Sequence, residues 1–256
     1  MSIEFATSRP LDRLDGIRHG FFGRRGGSST GDYASLNISE LSDDKPIHVA
    51  NNREQIAGVL GFSLDNLAAI HQVHSADVLH ITGPLGAHRP QADGMVSNTP
   101  GIALAISTAD CTPVLLADAE ARVIGACHAG WKGAIDGIAT ATVDAMVALG
   151  ARPERIIAAI GPTISGANYE VGPEFARNLL KLHPDAANRL WIPEGSDREH
   201  FDLPGFVFDQ LMAADVGLVD DLDICTYAAP KAYFSHRFAT HRGTLTGRQF
   251  SVIGLA

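Results

Sequence analysis

Cys111 and His128 are the two residues whose types could do chemistry together, since a thiol and an imidazole can share a proton or a metal ion. They flank two apolar runs, Thr112 to Ala117 and Arg122 to Cys127, separated by the polar break Asp118-Ala119-Glu120-Ala121. That is the pattern of strand, tight turn and strand. In an antiparallel hairpin, facing residues have position numbers of constant sum. A turn centred on Ala119-Glu120 sets that sum at 239, which Cys111 and His128 satisfy. The register predicts them opposite each other on one face, with Cα atoms roughly 4.5 to 5.5 Å apart. Pro113 works against it, because a proline offers no amide to a ladder and implies an edge position or a bulge.

Two machines suit these residue types. In a zinc site, thiolate and imidazole bind together, and three protein ligands leave a fourth position for water. In a cysteine nucleophile, His128 would deprotonate Cys111 while Asp110 or Asp93 orients the imidazole. A third reading is a buried cysteine acting as a small hydrophobe. Spacing alone does not choose among them. Asp93 stands in the turn Ala92-Asp93-Gly94, which displays a carboxylate but is also ordinary turn composition.

The elements that must position these groups follow from the flanking patterns. Ala129-Gly130-Trp131-Lys132-Gly133 has the small residues of a sharp strand-to-helix turn. Ile135, Ile138, Ala139, Thr142, Val143, Met146 and Leu149 then recur at helical spacing up to Gly150. Upstream, Ile17 to Phe22 predicts a short strand leading into the basic, glycine-rich loop Gly23 to Gly31, where Arg24 and Arg25 could hold an anion. Its spacing is that of neither a P-loop nor a dinucleotide fingerprint. Helices are expected over 46–60, 173–182 and 204–216, with Asp202 as a cap, and strands at 156–160, at Cys225 and over 250–255. His71 and His74, three apart in the stretch 68–81, fall on opposite faces of a strand unless the backbone bends there. Arg237, Arg242 and Arg248 form a second basic group near the end.

At 256 residues, with 45% hydrophobic and 19% charged residues, the chain reads as one domain over 1–256 with a sizeable core. No apolar run reaches bilayer length, and a net charge of −9 argues against nucleic acid as the main partner. Three cysteines make no disulfide framework and the start carries no secretory pattern, so a reducing cytoplasm is expected.

Gln72-Val73-His74, Ala92-Asp93-Gly94, Thr108-Ala109-Asp110-Cys111, His128 to Gly133, Ile160-Gly161-Pro162 and Thr246-Gly247-Arg248 together resemble the laccase-domain, YfiH-like family, as does the early run 23–37. The resemblance spans nearly the whole chain. It implies an α/β (α+β) fold of one domain, with mixed sheets layered between helices, similar to the catalytic domain of cytotoxic necrotising factor. Carried over by motif, it implies zinc ligands at His74, Cys111 and His128, with His71 outside the ligand set. The implied activity is purine nucleoside phosphorolysis, with adenosine deamination and methylthioadenosine phosphorolysis at the same site. Some relatives are assigned instead to hydrolytic editing of peptidoglycan precursors, by zinc or by a cysteine nucleophile.

The family's older label implies a copper polyphenol oxidase. One cysteine with two histidines, lacking paired His-x-His repeats, suits zinc hydrolytic chemistry better, although copper would also bind these ligands tightly. On this reading the partners are purine nucleosides and phosphate. Arg24 and Arg248 are candidate anion clamps, and Asp93 is the candidate proton-transferring carboxylate.

Overall fold

The computed structural model describes residues 3–256. Its first elements are strands β1 (Phe5–Ala6) and β2 (Ile17–Phe22), helix α1 (Pro46–Val59), and strands β3 (Leu67–Ala69), β4 (Val78–His80), β5 (Gly94–Ser97) and β6 (Ala103–Thr108). The hairpin β7 (Thr112–Asp118) and β8 (Val123–Ala129) follows, then helices α2 (Trp131–Ile135) and α3 (Ile138–Ala148) and strand β9 (Ile157–Ile160). The remainder holds β10 (Glu170–Val171), α4 (Pro173–Leu182), β11 (Leu190–Trp191), β12 (Glu199–Phe201), α5 (Leu203–Ala213), β13 (Leu218–Asp221), α6 (His236–Arg242) and β14 (Gln249–Leu255). No described helix is long and apolar enough to cross a membrane.

The strands form a five-stranded sheet, ordered β1-β2-β14-β6-β3, a six-stranded sheet, ordered β13-β9-β7-β8-β5-β4, and a small sheet of β10, β12 and β11. Strand alternation explains how the two large sheets stack. Leu104, Ile106 and Ile253 of the first sheet meet Leu115, Ala117, Ile124 and Ala126 of the second in one buried cluster. The opposite face of the second sheet presents Val114, Leu116 and Val123 to Ile138, Val143 and Met146 of α3 and to Phe206, Val207 and Leu211 of α5. The opposite face of the first sheet presents Ala103, Ala105 and Val252 to Ile56 and Ala57 of α1. The result is four layers, helix, sheet, sheet and helix. Each fully buried aliphatic or aromatic side chain in them contributes roughly 1.5–3 kcal/mol.

The sheet crossings place the site. β3 and β6 are parallel neighbours in the first sheet, so their C-terminal ends lie at the same edge. From that edge both chains pass to the second sheet, β3 into β4 and β6 into β7. Each crossing contains a non-glycine residue in the left-handed region, His74 (φ 61°) and Asp110 (φ 93°).

Several expectations are corrected here. Thr112 pairs with Ala129 and Pro113 with His128, so the hairpin sum is 241 rather than 239. The turn has four residues, Ala119 to Arg122, and Arg122 takes a left-handed φ of 53°. Cys111 therefore lies just before the ladder. Pro113 is tolerated inside β7 because its carbonyl faces β9, accepting from the Gly161 amide at 3.0 Å, and its nitrogen faces the same way, beyond the last β7–β9 pair at Val114 and Ile160. The helix expected over 135–149 is split by Gly137 (φ 87°), leaving α2 and α3. Cys225, expected in a strand, makes only an isolated bridge with Thr163. Helix α5 stops at Ala213, short of 216, and Asp202 does cap it, accepting from the Gly205 amide.

Candidate metal centre

His128, next to last in β8, is held from two sides by Asp93. Its Nδ1 donates to Asp93 Oδ1 at 2.7 Å and its amide donates to the Asp93 carbonyl at 2.8 Å. This leaves Nε2 free to face the site. The other carboxylate oxygen of Asp93 accepts from the amides of Val73 and Ser75, at 3.0 and 2.7 Å, and from Ser75 Oγ. Those amides flank His74, so one fully buried carboxylate fixes two of the three candidate ligands.

Asp110 does the same for Cys111. Its carboxylate accepts from Thr226 Oγ1 and the Arg237 amide, both at 2.6 Å, while its carbonyl accepts from the Ile164 amide and Thr163 Oγ1. These bonds hold the left-handed turn that aims the next residue, Cys111, at the site. Its Sγ lies 3.8 Å from His74 Nε2, and the ring centroids of His74 and His128 are 4.8 Å apart. Ligand atoms of His74, Cys111 and His128 all fall within 4.8 Å of one another. Gly130 makes room for them. A Cβ there would collide with the His74 ring and lie 3.3 Å from Cys111 Sγ.

Charge within the cluster favours the ligand form of the thiol. Burial would raise Cys111, but the charge and hydrogen bonding of His128, and then of His74, outweigh it and bring the thiol down to about 6. Burial would lower His128, but the thiolate and the bond to Asp93 prevail and raise it to about 9. Burial would likewise raise Asp93, yet the bonds from His128, Ser75 and Val73 hold it well below the usual carboxylate range. The proton on His128 thus supplies the thiolate with a positive charge that a metal ion would replace. A thiolate, two imidazoles and a carboxylate behind one imidazole fit zinc in donor type. Among the described residues, this is the one group of His, Cys, Asp and Glu close enough to hold a metal ion.

The cluster opens into a cavity of about 690 Å³ lined by Ile70, Phe250, Leu41 and Leu245, by His71, His236 and Tyr33, and by Arg53, Arg89 and Arg248. Arg53 and Arg89 both pair with Glu40. Arg248 makes one side-chain bond, to the Gly247 carbonyl at 3.0 Å, and pairs with no carboxylate among the described residues. Arg24 lies elsewhere. Its Nε, Nη1 and Nη2 donate to the carbonyls of Ala34, Pro230 and Asp32, stapling the glycine-rich loop shut. Arg237 stacks over Tyr169 and Arg242 over Phe238, so of the three C-terminal arginines only Arg248 lines this cavity. His71 lines the cavity outside the cluster, and His80 is exposed, 3.3 Å from Asn98 Oδ1. Sequence reasoning missed the contributions of Gln72, Ser75 and Thr226. Each acts across 18 to 116 residues of chain, and no local pattern announces that.

A family model described as multi-copper polyphenol oxidoreductase laccase matches residues 18–256. The chain belongs to this laccase family. A Deinococcus radiodurans protein named purine nucleoside phosphorylase is 45% identical over 253 residues, covering 98% of this chain and 94% of the relative. A Streptomyces griseus protein, purine nucleoside phosphorylase ORF3, is 39% identical over 229 residues, 89% of this chain and 91% of the relative. Among solved structures, that of Neisseria meningitidis protein NMB0706 superposes with a TM-score of 0.88 at 31% identity, covering 100% of this chain and 99% of that one. The Bacillus licheniformis protein YfiH superposes with a TM-score of 0.87 at 29% identity, covering 98% and 99%. The family expected from the sequence is thus the one the chain belongs to, and the mixed α/β fold expected with it is the fold observed.

Proposed function

We propose that this chain is a zinc-dependent purine nucleoside phosphorylase whose metal is held by His74, Cys111 and His128. The single observation that carries the reading is the convergence of those three residues in the lining of a cavity that also holds Arg248, which has no carboxylate partner among the described residues. The names of the relatives support the substrate class. When bound, zinc supplies Lewis acidity and lowers the pKa of water or another oxygen ligand.

The protein's own residues do the rest. Phe250 and Ile70 give the cavity an apolar lining suited to a purine face. Arg248 binds phosphate through guanidinium nitrogens left free by its one bond to Gly247. We assign Asp93 to positioning His128 and the His74 loop, not to proton transfer, because it is fully buried with both oxygens already accepting. Arg24 is left out of the phosphate site, because all three of its guanidinium nitrogens serve backbone carbonyls. Adenosine deamination and methylthioadenosine phosphorolysis use the same cavity in this reading. Its setting is the cytoplasm, which keeps the free Cys111 reduced.

The ligand set also speaks to the family's copper description. Multicopper oxidation needs several copper ions close together, and the described residues provide one three-ligand group. The test is product identification. Inosine or adenosine, incubated with the purified protein, should release free base and ribose 1-phosphate only when phosphate is present. Base release that ignores phosphate, or cleavage of muropeptides in place of nucleosides, would overturn the phosphorylase reading.

A further inference from the structure

β3 and β6 run parallel, paired through Ala69 and Ala105. Two residues further, the partner due opposite Ser107 would be residue 71. The backbone has left by then, for His71 bridges Gln91 and its amide donates to the Pro90 carbonyl at 2.9 Å. Ser107 is not left unpaired on that side. The Gln72 side chain turns back and donates from Nε2 to the Ser107 carbonyl at 2.8 Å, while the Ser107 amide donates to Gln72 Oε1 at 2.8 Å. A primary amide has one acceptor and a donor group in the same plane, so it can stand in for a peptide unit of the missing strand.

This clamp has a definite place in the site. Gln72 lies two residues before His74, and Ser107 lies four before Cys111. The two crossings that deliver those side chains are otherwise separate loops, one anchored on Asp93 and the other on Asp110. We infer that Gln72 is a positioning residue which, by completing the β3–β6 pairing with its side chain, sets the separation between His74 and Cys111. It frees the backbone to change sheets without releasing the His74 loop from the strand that carries Cys111. The inference rests on the zinc reading above, and its test separates the two.

The test replaces Gln72 with methionine, which keeps the length and volume but none of the hydrogen bonds. Zinc affinity is measured by competition with a chromophoric chelator, and the absorption bands of the cobalt(II)-loaded protein report the ligand geometry. Gln72→Met should bind zinc at least about tenfold more weakly, as partners behind a metal ligand typically require. It should also shift the cobalt bands, while the metal-free protein melts within a few degrees of the unaltered one. Should that variant not fold, Gln72→Glu keeps the bond from the Ser107 amide but sets an oxygen against the Ser107 carbonyl, and should weaken binding likewise. Affinity and cobalt spectrum unchanged in either folded variant would overturn the inference. Failure of the unaltered protein to take up zinc is a different result, and overturns the metal reading.

Discussion

Asp93 and Arg248 divide the polar work at the residue scale, one buried beneath the ligands and the other lining the cavity. In the sequence, Asp93 is a turn aspartate that could orient His128 or transfer a proton, and local composition does not choose between the two. Its importance comes from contacts 18 and 35 residues away, to Ser75 and His128, which only the folded sheet supplies. Arg24 and Arg248 carry equal charge in the sequence, and the backbone around each decides which has nitrogens to spare. If Arg248 holds phosphate, Arg248→Ala should reduce phosphorolysis by more than it reduces adenosine deamination. Loss of one charge-assisted bond costs about 2 kcal/mol, or roughly thirtyfold in kcat/KM. Steady-state kinetics with both reactions checks this, and equal losses in the two would remove Arg248 from the phosphate role.

Elements were legible where local composition decides them. β2 and α4 follow the expected bounds, and β14 and α1 fall within one residue of them. The hairpin was legible in kind but not in register, because the run Asp118 to Ala121 does not reveal that Arg122 accepts a left-handed backbone and shifts the four-residue turn by one position. An offset of two in the pairing sum leaves every side chain on its original face. Cys111 and His128 therefore still meet, although Cys111 reaches the site from a loop. The tolerance at the strand-to-helix turn is small. Gly130 has an ordinary φ of −69°, so it is needed for space, with any Cβ 2.9 Å from His74 Nε2. Gly130→Ala should displace the His74 ring and weaken zinc binding about tenfold or more, at an overpacking cost of about 1–3 kcal/mol. Calorimetric titration with zinc checks it, and unaltered affinity would show that the ring moves aside without penalty.

The whole molecule converts a sheet-to-sheet crossing into a site, since three ligands on separate segments meet only because the two large sheets are stacked with their crossings at one edge. That stacking has its own pH limit. His19 in β2 is buried, its Nε2 accepts the Ser8 amide at 2.8 Å, and burial lowers its pKa despite the opposing charges of Asp12 and Asp220. A depressed histidine stabilises the fold fully above its unfolded value of about 6.5, and that contribution falls as pH drops towards the folded value. Between pH 7 and 5 the unaltered protein should lose more melting temperature than His19→Gln, and parallel curves would contradict this. One titration tests the metal centre most directly. Protein stripped by a chelator and shown metal-free by elemental analysis receives measured zinc, and phosphorolysis of inosine is followed. The rate should start near zero, rise in proportion to zinc and level off at one equivalent per chain; full phosphorolysis in the stripped protein would contradict the account.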